Sequence, residues 1–133
     1  MPDKIFLDTN ILLYLLSDNL TKKQTSKKLL ELKPNISIQV LNEFANVCFK
    51  KFSIDGKDIK KLIQEIGIQT NVLIYTKETI IQSIELKNKY KFQFYDCLIL
   101  STALENNCTT IYSEDMQHNQ VIKKQLIIKN PFN

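Results

Sequence analysis

Short apolar runs alternate with longer helical stretches along this chain of 133 residues, and that alternation limits the fold more than any other feature. Lys4–Leu7, Asn35–Ile38, Asn71–Tyr75 and Thr109–Tyr112 each read as a brief buried strand, and Leu126–Ile128 as a fifth. Between them lie segments with helical spacing. Asn10–Leu16 is an apolar stretch of this kind, and Thr21–Lys33 is polar outside and stopped by Pro34. Val40–Phe52 repeats apolar residues every three or four positions (Val40, Leu41, Phe44, Val47, Cys48). Asp55–Ile66 sets Ile59, Leu62, Ile63 and Ile66 against a lysine face and is expected to end at Gly67. Thr76 is placed to cap a helix reaching Lys89. Tyr95–Glu105 is apolar on nearly every side, which predicts a central helix, and Asn106–Asn107 ends it. Strands separated by helices pair in parallel through crossovers, so the chain is expected to form one α/β domain over residues 1–133. Its mostly parallel sheet would lie between helical layers. In such sheets, functional sites gather at the carboxyl ends of the strands.

Composition narrows the class further. Hydrophobic residues at 44% and charged residues at 24% exclude a disordered chain, and 2 Gly with 3 Pro leave little turn chemistry for a many-hairpin all-β fold. No apolar run approaches the ~18 residues of a membrane span, and no signal peptide opens the sequence, so a cytoplasmic protein is expected. Cys48, Cys97 and Cys108 lie in apolar surroundings without metal spacing, as buried free thiols of a reducing compartment do. The net charge of +4 fits a polyanionic partner. All 18 basic residues are lysine, so bidentate guanidinium contacts to phosphate or guanine are excluded.

Four of the 14 acidic residues are out of place. Asp8 interrupts Ile5–Leu13, Glu43 lies within Val40–Ala45, Asp96 within Phe94–Leu100, and Asp115 follows the apolar Thr110–Tyr112. An unpaired carboxylate in such a setting costs several kcal/mol, so each must be paired, protonated or bound to a cation. Taken singly, each has a local explanation. Asp8 and Asp96 would cap helices, Asp96 one starting near Cys97. Asp115 would serve a turn, and Glu43 would sit in the first turn of its helix. Taken together, they are expected to converge at the carboxyl edge of a parallel sheet. Like charges ~4 Å apart repel by about 4 kcal/mol at an effective dielectric of about 20, so such a cluster ionises only around a cation. Oxygen-only ligands select Mg²⁺, Mn²⁺ or Ca²⁺. His118, the single histidine, lies in a polar stretch, which argues against a zinc site or a histidine-based triad, and no glycine-rich phosphate loop is present. An acidic crevice in a basic protein suits metal-assisted phosphodiester hydrolysis, with Thr9, Asn10 and Ser113 beside the acids to orient water, or simply serving turns.

Phe6–Leu12, Ile38–Phe44, Phe94–Ile99, Tyr112–Met116 and Asn130–Phe132, in that order, resemble the PIN-domain ribonucleases, and more closely the VapC-type toxins of toxin–antitoxin pairs. The resemblance implies a three-layer α/β/α sandwich, a Mg²⁺- or Mn²⁺-dependent endoribonuclease with one or two ions, a homodimer, and neutralisation by a cognate antitoxin whose tail fills the active-site groove. It places Asp8, Glu43, Asp96 and Asp115 at the family's acidic positions and Ser113 at its small hydroxyl position. Glu114 is left between contacting metal-bound water and facing solvent. Family members often carry arginines near the RNA groove; this chain has none. Two other readings are weighed beside the nuclease: a non-catalytic RNA- or antitoxin-binding module whose acids are structural, and a phosphotransfer domain with Asp8 as phosphoacceptor and Lys77 as its lysine.

Overall fold

A computed structural model describes residues 3–133. Six strands form one sheet: β1 (Ile5–Leu7), β2 (Asn35–Ser37), β3 (Asn71–Leu73), β4 (Thr110–Tyr112), β5 (Val121–Ile122) and β6 (Leu126–Lys129). Six helices join them: α1 (Thr9–Leu13), α2 (Leu20–Glu31), α3 (Ile38–Lys50), α4 (Gly56–Gln69), α5 (Lys77–Tyr90) and α6 (Phe94–Glu105), with a 3-10 turn at Tyr14–Leu16. The strand order is β3-β2-β1-β4-β6-β5, and only β5, paired with β6, runs antiparallel.

That order has a functional consequence. From β1 the chain steps outward to β2 and β3, then returns to pair β4 on the other side of β1. Right-handed crossovers in opposite directions put their helices on opposite faces of the sheet. Accordingly, α1, α3 and α4 pack on one another, while α5 packs on α6. The three-layer α/β/α arrangement follows, and the direction of winding switches between β1 and β4, where a crevice opens above the strand ends. The core fills both faces of the sheet with Phe6, Leu7, Ile36, Ile111 and Ile128, against Ile11, Val40, Phe44, Leu86 and Leu100 from the helices. Residues Cys97 to Ala103 of α6 are all buried, as its all-round apolarity requires, and Cys48, Cys97 and Cys108 are buried free thiols.

Several boundaries differ from the sequence expectation. Helix α4 does not stop at Gly67 but continues to Gln69, because Gly67 keeps a negative φ and ordinary helical geometry. Strand β3 ends at Leu73, two residues early, leaving Ile74 exposed. Ser37 ends β2 and caps α3 at once, its hydroxyl accepting from the Val40 amide at 3.3 Å, so the strand gives way to helix without a loop. No described helix is long and apolar enough to cross a membrane.

Candidate active site

Register fixes the first pair of site residues. Leu7 pairs with Tyr112, and the Asp8 amide donates to the Tyr112 carbonyl at 3.0 Å, so Asp8 and Ser113 emerge side by side above the switch point. Ser113 Oγ donates to Asp8 Oδ2 at 2.8 Å and itself accepts from the Met116 amide at 3.3 Å, which folds the Ser113–Met116 turn and sets Asp115 at the rim. Asp8 also caps α1, its Oδ1 accepting from the Thr9 amide at 2.7 Å.

The residues after Asp8 tie the other acids to it. Asn10 Nδ2 donates to Asp8 Oδ2 at 3.3 Å and to Asp115 Oδ2 at 3.0 Å, bridging two carboxylates with one amide. Its Oδ1 accepts from the Glu114 amide at 3.1 Å. Thr9 Oγ1 donates to Glu43 Oε1 at 2.6 Å. The carboxyl of the remaining acid, Asp96, is raised by burial first and then by the charges of Glu43 and Asp115. Asp8, Glu43, Asp96 and Asp115 are thus linked pairwise, through Asn10, through Thr9 and through the charge effects on Asp8 and Asp96. They meet in pairs and through amide and hydroxyl bridges; among the described residues no three His, Cys, Asp or Glu side chains close around a single point.

Two of the local explanations for these acids fail. Glu43 is the sixth residue of α3, beyond the first turn where the helix dipole would favour it. Asp96 caps nothing: α6 begins at Phe94 with Gln93 as its N-cap, so Asp96 lies inside the first turn. The Asp8 cap is real but does not account for the second oxygen, which faces Ser113 and Asn10.

Electrostatics follow from this crowding. Asp8 is only 6% exposed, and burial pushes its carboxyl up from 3.8 to about 7; the Ser113 and Thr9 hydrogen bonds oppose the rise, and the Asp96 and Glu43 charges add to it. Burial likewise raises Asp96, with Glu43 and Asp115 contributing. No lysine forms an ion pair with any of the four among the described residues. The donor set is all oxygen and short of positive charge, the chemistry that suits a hard divalent cation rather than zinc.

Glu114 belongs to a different assembly. Its carboxylate accepts from Lys22 Nζ at 2.6 Å and from Tyr14 Oη at 2.5 Å. Lys22 Nζ also donates to Tyr14 Oη at 3.1 Å and lies 4.7 Å from the Tyr14 ring centre and 5.1 Å from that of Phe132. Burial pushes the Glu114 carboxyl up, but Lys22 and Tyr14 outweigh it and hold the group below its ordinary range. Glu114 therefore fastens the loop bearing Ser113 and Asp115 to α2.

Sequence reasoning missed two positioning groups. Lys22 is one. Gln39 is the other: buried at the start of α3, its Nε2 donates to the Tyr95 carbonyl at 3.0 Å and so ties the helix bearing Glu43 to the helix bearing Asp96. Its one signal was a spacing of four residues from Glu43, which puts both on one helix face. Lys77 stands 83% exposed at the start of α5, past the edge strand β3, two strands away from β1. A phosphoacceptor Asp8 lacks its lysine there.

The PIN domain family matches residues 5–124. The chain belongs to the PIN domain family. Solved structures repeat the whole PIN fold found here. A toxin–antitoxin complex from Klebsiella pneumoniae aligns with TM-score 0.73 and 21% identity, over 96% of this chain and 98% of that one. The Mycobacterium tuberculosis toxin VapC20, a sarcin–ricin loop cleaving toxin, aligns with TM-score 0.67 and 19% identity, over 84% and 90%. VapBC2 from Rickettsia felis, bound to a fragment of its promoter DNA, aligns with TM-score 0.67 and 21% identity, over 95% and 97%. No curated protein sequence matches the chain closely enough to count as a relative.

Proposed function

We propose that this PIN domain is a divalent-metal-dependent endoribonuclease and the toxin of a toxin–antitoxin pair. The observation that carries the reading is the buried Asp8 carboxylate, bridged to Asp115 by Asn10 and crowded by Asp96 and Glu43 at the switch point of the sheet. An array with that much uncompensated negative charge is costly unless a cation completes it. Asp8, Glu43, Asp96 and Asp115 would hold Mg²⁺ or Mn²⁺. When bound, such an ion supplies Lewis acidity toward a phosphate oxygen and screens the phosphate from the carboxylates. The chain's own groups do the rest. Thr9 and Ser113 aim Glu43 and Asp8, Asn10 fixes the spacing of Asp8 and Asp115, and Gln39 holds α3 and α6 in register. The lysine-only positive charge draws RNA in without selecting its bases.

The toxin role is supported by the fold shared with VapC20 and with toxin–antitoxin complexes. The partners that follow are RNA, a cognate antitoxin, and a second copy of the chain. The exposed Ile38 and Tyr95, at the starts of α3 and α6, favour a homodimer. Cytoplasmic action fits an RNA substrate.

RNA cleavage in Mg²⁺ or Mn²⁺ by the wild type, Asp8→Asn and Asp96→Asn tests the reading. Each substitution is expected to lower the cleavage rate at least a hundredfold, and EDTA to abolish it. Cleavage that survives both variants removes the proposal; metal-independent RNA binding with no turnover would establish the non-catalytic module in its place.

A further inference from the structure

A chain without arginine must grip RNA by other means, and the surface next to the acids offers one. A cleft of about 630 Å³ opens from the acid cluster, sharing Asn10 and Asp115 with it. That volume lies within the range of small-ligand sites. Its lining is part aliphatic, including Leu13 and Val47, part aromatic, Tyr14 and Phe52, and part acidic, Asp18 and Glu114 besides Asp115. Lys51 stands at its mouth. A second cleft of about the same volume, between α2 and α4, touches none of the four acids.

The two aromatic residues differ in their freedom. Tyr14 is pinned: its hydroxyl is held by Glu114 and Lys22, and its ring meets Phe132 edge-on with centroids 4.9 Å apart. Phe52, just past the end of α3, is 38% exposed, and Lys51 beside it is exposed with no ion-pair partner among the described residues. An exposed ring lining a cleft, next to a lysine without an ion-pair partner among the described residues, can hold an unpaired base by stacking and its phosphate by charge. Stacking of this kind accepts any base and needs no guanidinium.

We propose that this cleft is a nucleoside subsite, taking one unpaired nucleotide of the RNA adjacent to the phosphate that is cut. Its base stacks on Phe52 against the fixed Tyr14 wall, and Lys51 meets the flanking phosphate. The inference rests on the nuclease reading above. It locates specificity in the Lys51–Phe52 end of α3, two helical turns beyond Glu43, so that base reading and phosphate cleavage share one helix. A peptide of the antitoxin is the rival occupant; the continuity with the carboxylates and the unpaired Lys51 favour the nucleotide.

The test compares wild type, Phe52→Leu, Phe52→Trp and Lys51→Gln on a short single-stranded RNA of mixed sequence. Steady-state cleavage, equilibrium RNA binding and sequencing of the cut ends are read together. Phe52→Leu keeps apolar bulk without a π face, so KM is expected to rise about tenfold with kcat little changed, and the nucleotide preference beside the cut to flatten. Phe52→Trp is expected to restore both, which a merely structural role for Phe52 would not predict. Lys51→Gln is expected to weaken binding and to lower the salt slope by about one. If the wild type cleaves RNA while Phe52→Leu keeps its KM and cut-site preference, the subsite is overturned and the nuclease reading stands. If Phe52→Leu loosens only the antitoxin complex, the cleft belongs to the peptide and the inference is likewise overturned. If the wild type neither cleaves nor binds RNA, both readings fall.

Discussion

Asp8 is buried with its oxygens committed to Thr9, Ser113 and Asn10, and its carboxyl is pushed up to about 7. The sign of the resulting pH dependence is fixed. Folding raises this group above its unfolded 3.8, so the metal-free fold bears no penalty from Asp8 below about pH 4, a growing one between about 4 and 7, and a constant one above. Asp8→Asn removes the charge and keeps an acceptor for the Thr9 amide. It is expected to raise the melting temperature of the metal-free protein by several degrees at pH 8, a gain that fades toward pH 4, while cleavage is lost; parallel thermal melts across this range check it. The gain and the loss would share one cause, the uncompensated carboxylate charge of the proposed cation site. Lys22→Met is expected to act in the opposite sense, lowering the midpoint of chemical denaturation slightly, because it leaves the Glu114 carboxylate and Tyr14 hydroxyl without their shared donor. The contrast between these residues shows what single letters disclose. A carboxylate inside Ile5–Leu13 announces itself because burial makes it expensive. Lys22 is not separable from Lys23, Lys27 and Lys28 in sequence, because its value lies in what α2 happens to face.

Helices and strands were legible where their periodicity ran long enough. The spacing in Val40–Phe52 and the apolar closure of Tyr95–Glu105 both correspond to helices with the expected buried faces. Legibility failed where glycine was read as a stop and where a strand was too short to have a period. Gly67 lies within α4, and a Cβ built there meets nothing within 4 Å. Gly67→Ala is therefore expected to stabilise the protein by about 0.5–1 kcal/mol, measured as a higher denaturant midpoint with unchanged slope. Strand β5 was missed because Val121–Ile122 is only two residues long and its turn carries no glycine. That turn places Lys123 and Lys124 at φ 51° and 58°, in the left-handed region, with the Gln125 amide donating to the Ile122 carbonyl at 3.0 Å. Two lysines are poor residues for it, and Asn-Gly suits both positions. Replacing Lys123–Lys124 by Asn-Gly is expected to raise the melting temperature by a few degrees without touching the acid cluster, which lies at the other end of the β4–β6 pairing from this hairpin.

At the scale of the whole molecule, what matters is that Asp8, Glu43, Asp96 and Asp115 become neighbours only through topology. Alternating strands and helices imply a parallel sheet, but the strand order that sets β4 against β1 is not written in any local run of residues. The order brings Asp8 and Ser113 into register, and packing of α3 and α6 near β2 then delivers Glu43 and Asp96. Because the acids are contributed by elements spread from Asp8 to Asp115, a cation that binds them joins most of the chain, and it binds the folded state alone. Added Mn²⁺ is accordingly expected to raise the melting temperature, in proportion to RT ln(1 + [Mn²⁺]/Kd). The rise has the same sign of pH dependence as an ordinary carboxylate ion pair, lost as the pH falls, but in a higher pH window. With the Asp8 carboxyl at about 7, protons compete with the cation across the physiological range, so the shift should be full near pH 8 and shrink steadily as the pH falls toward 5. In Asp8→Asn the proton competitor and the ligand vanish together, and both the shift and its pH dependence should collapse. A melting shift that is equal at pH 5 and pH 8, or that survives in Asp8→Asn, would place the cation elsewhere on this basic surface and leave the four carboxylates without the role assigned to them.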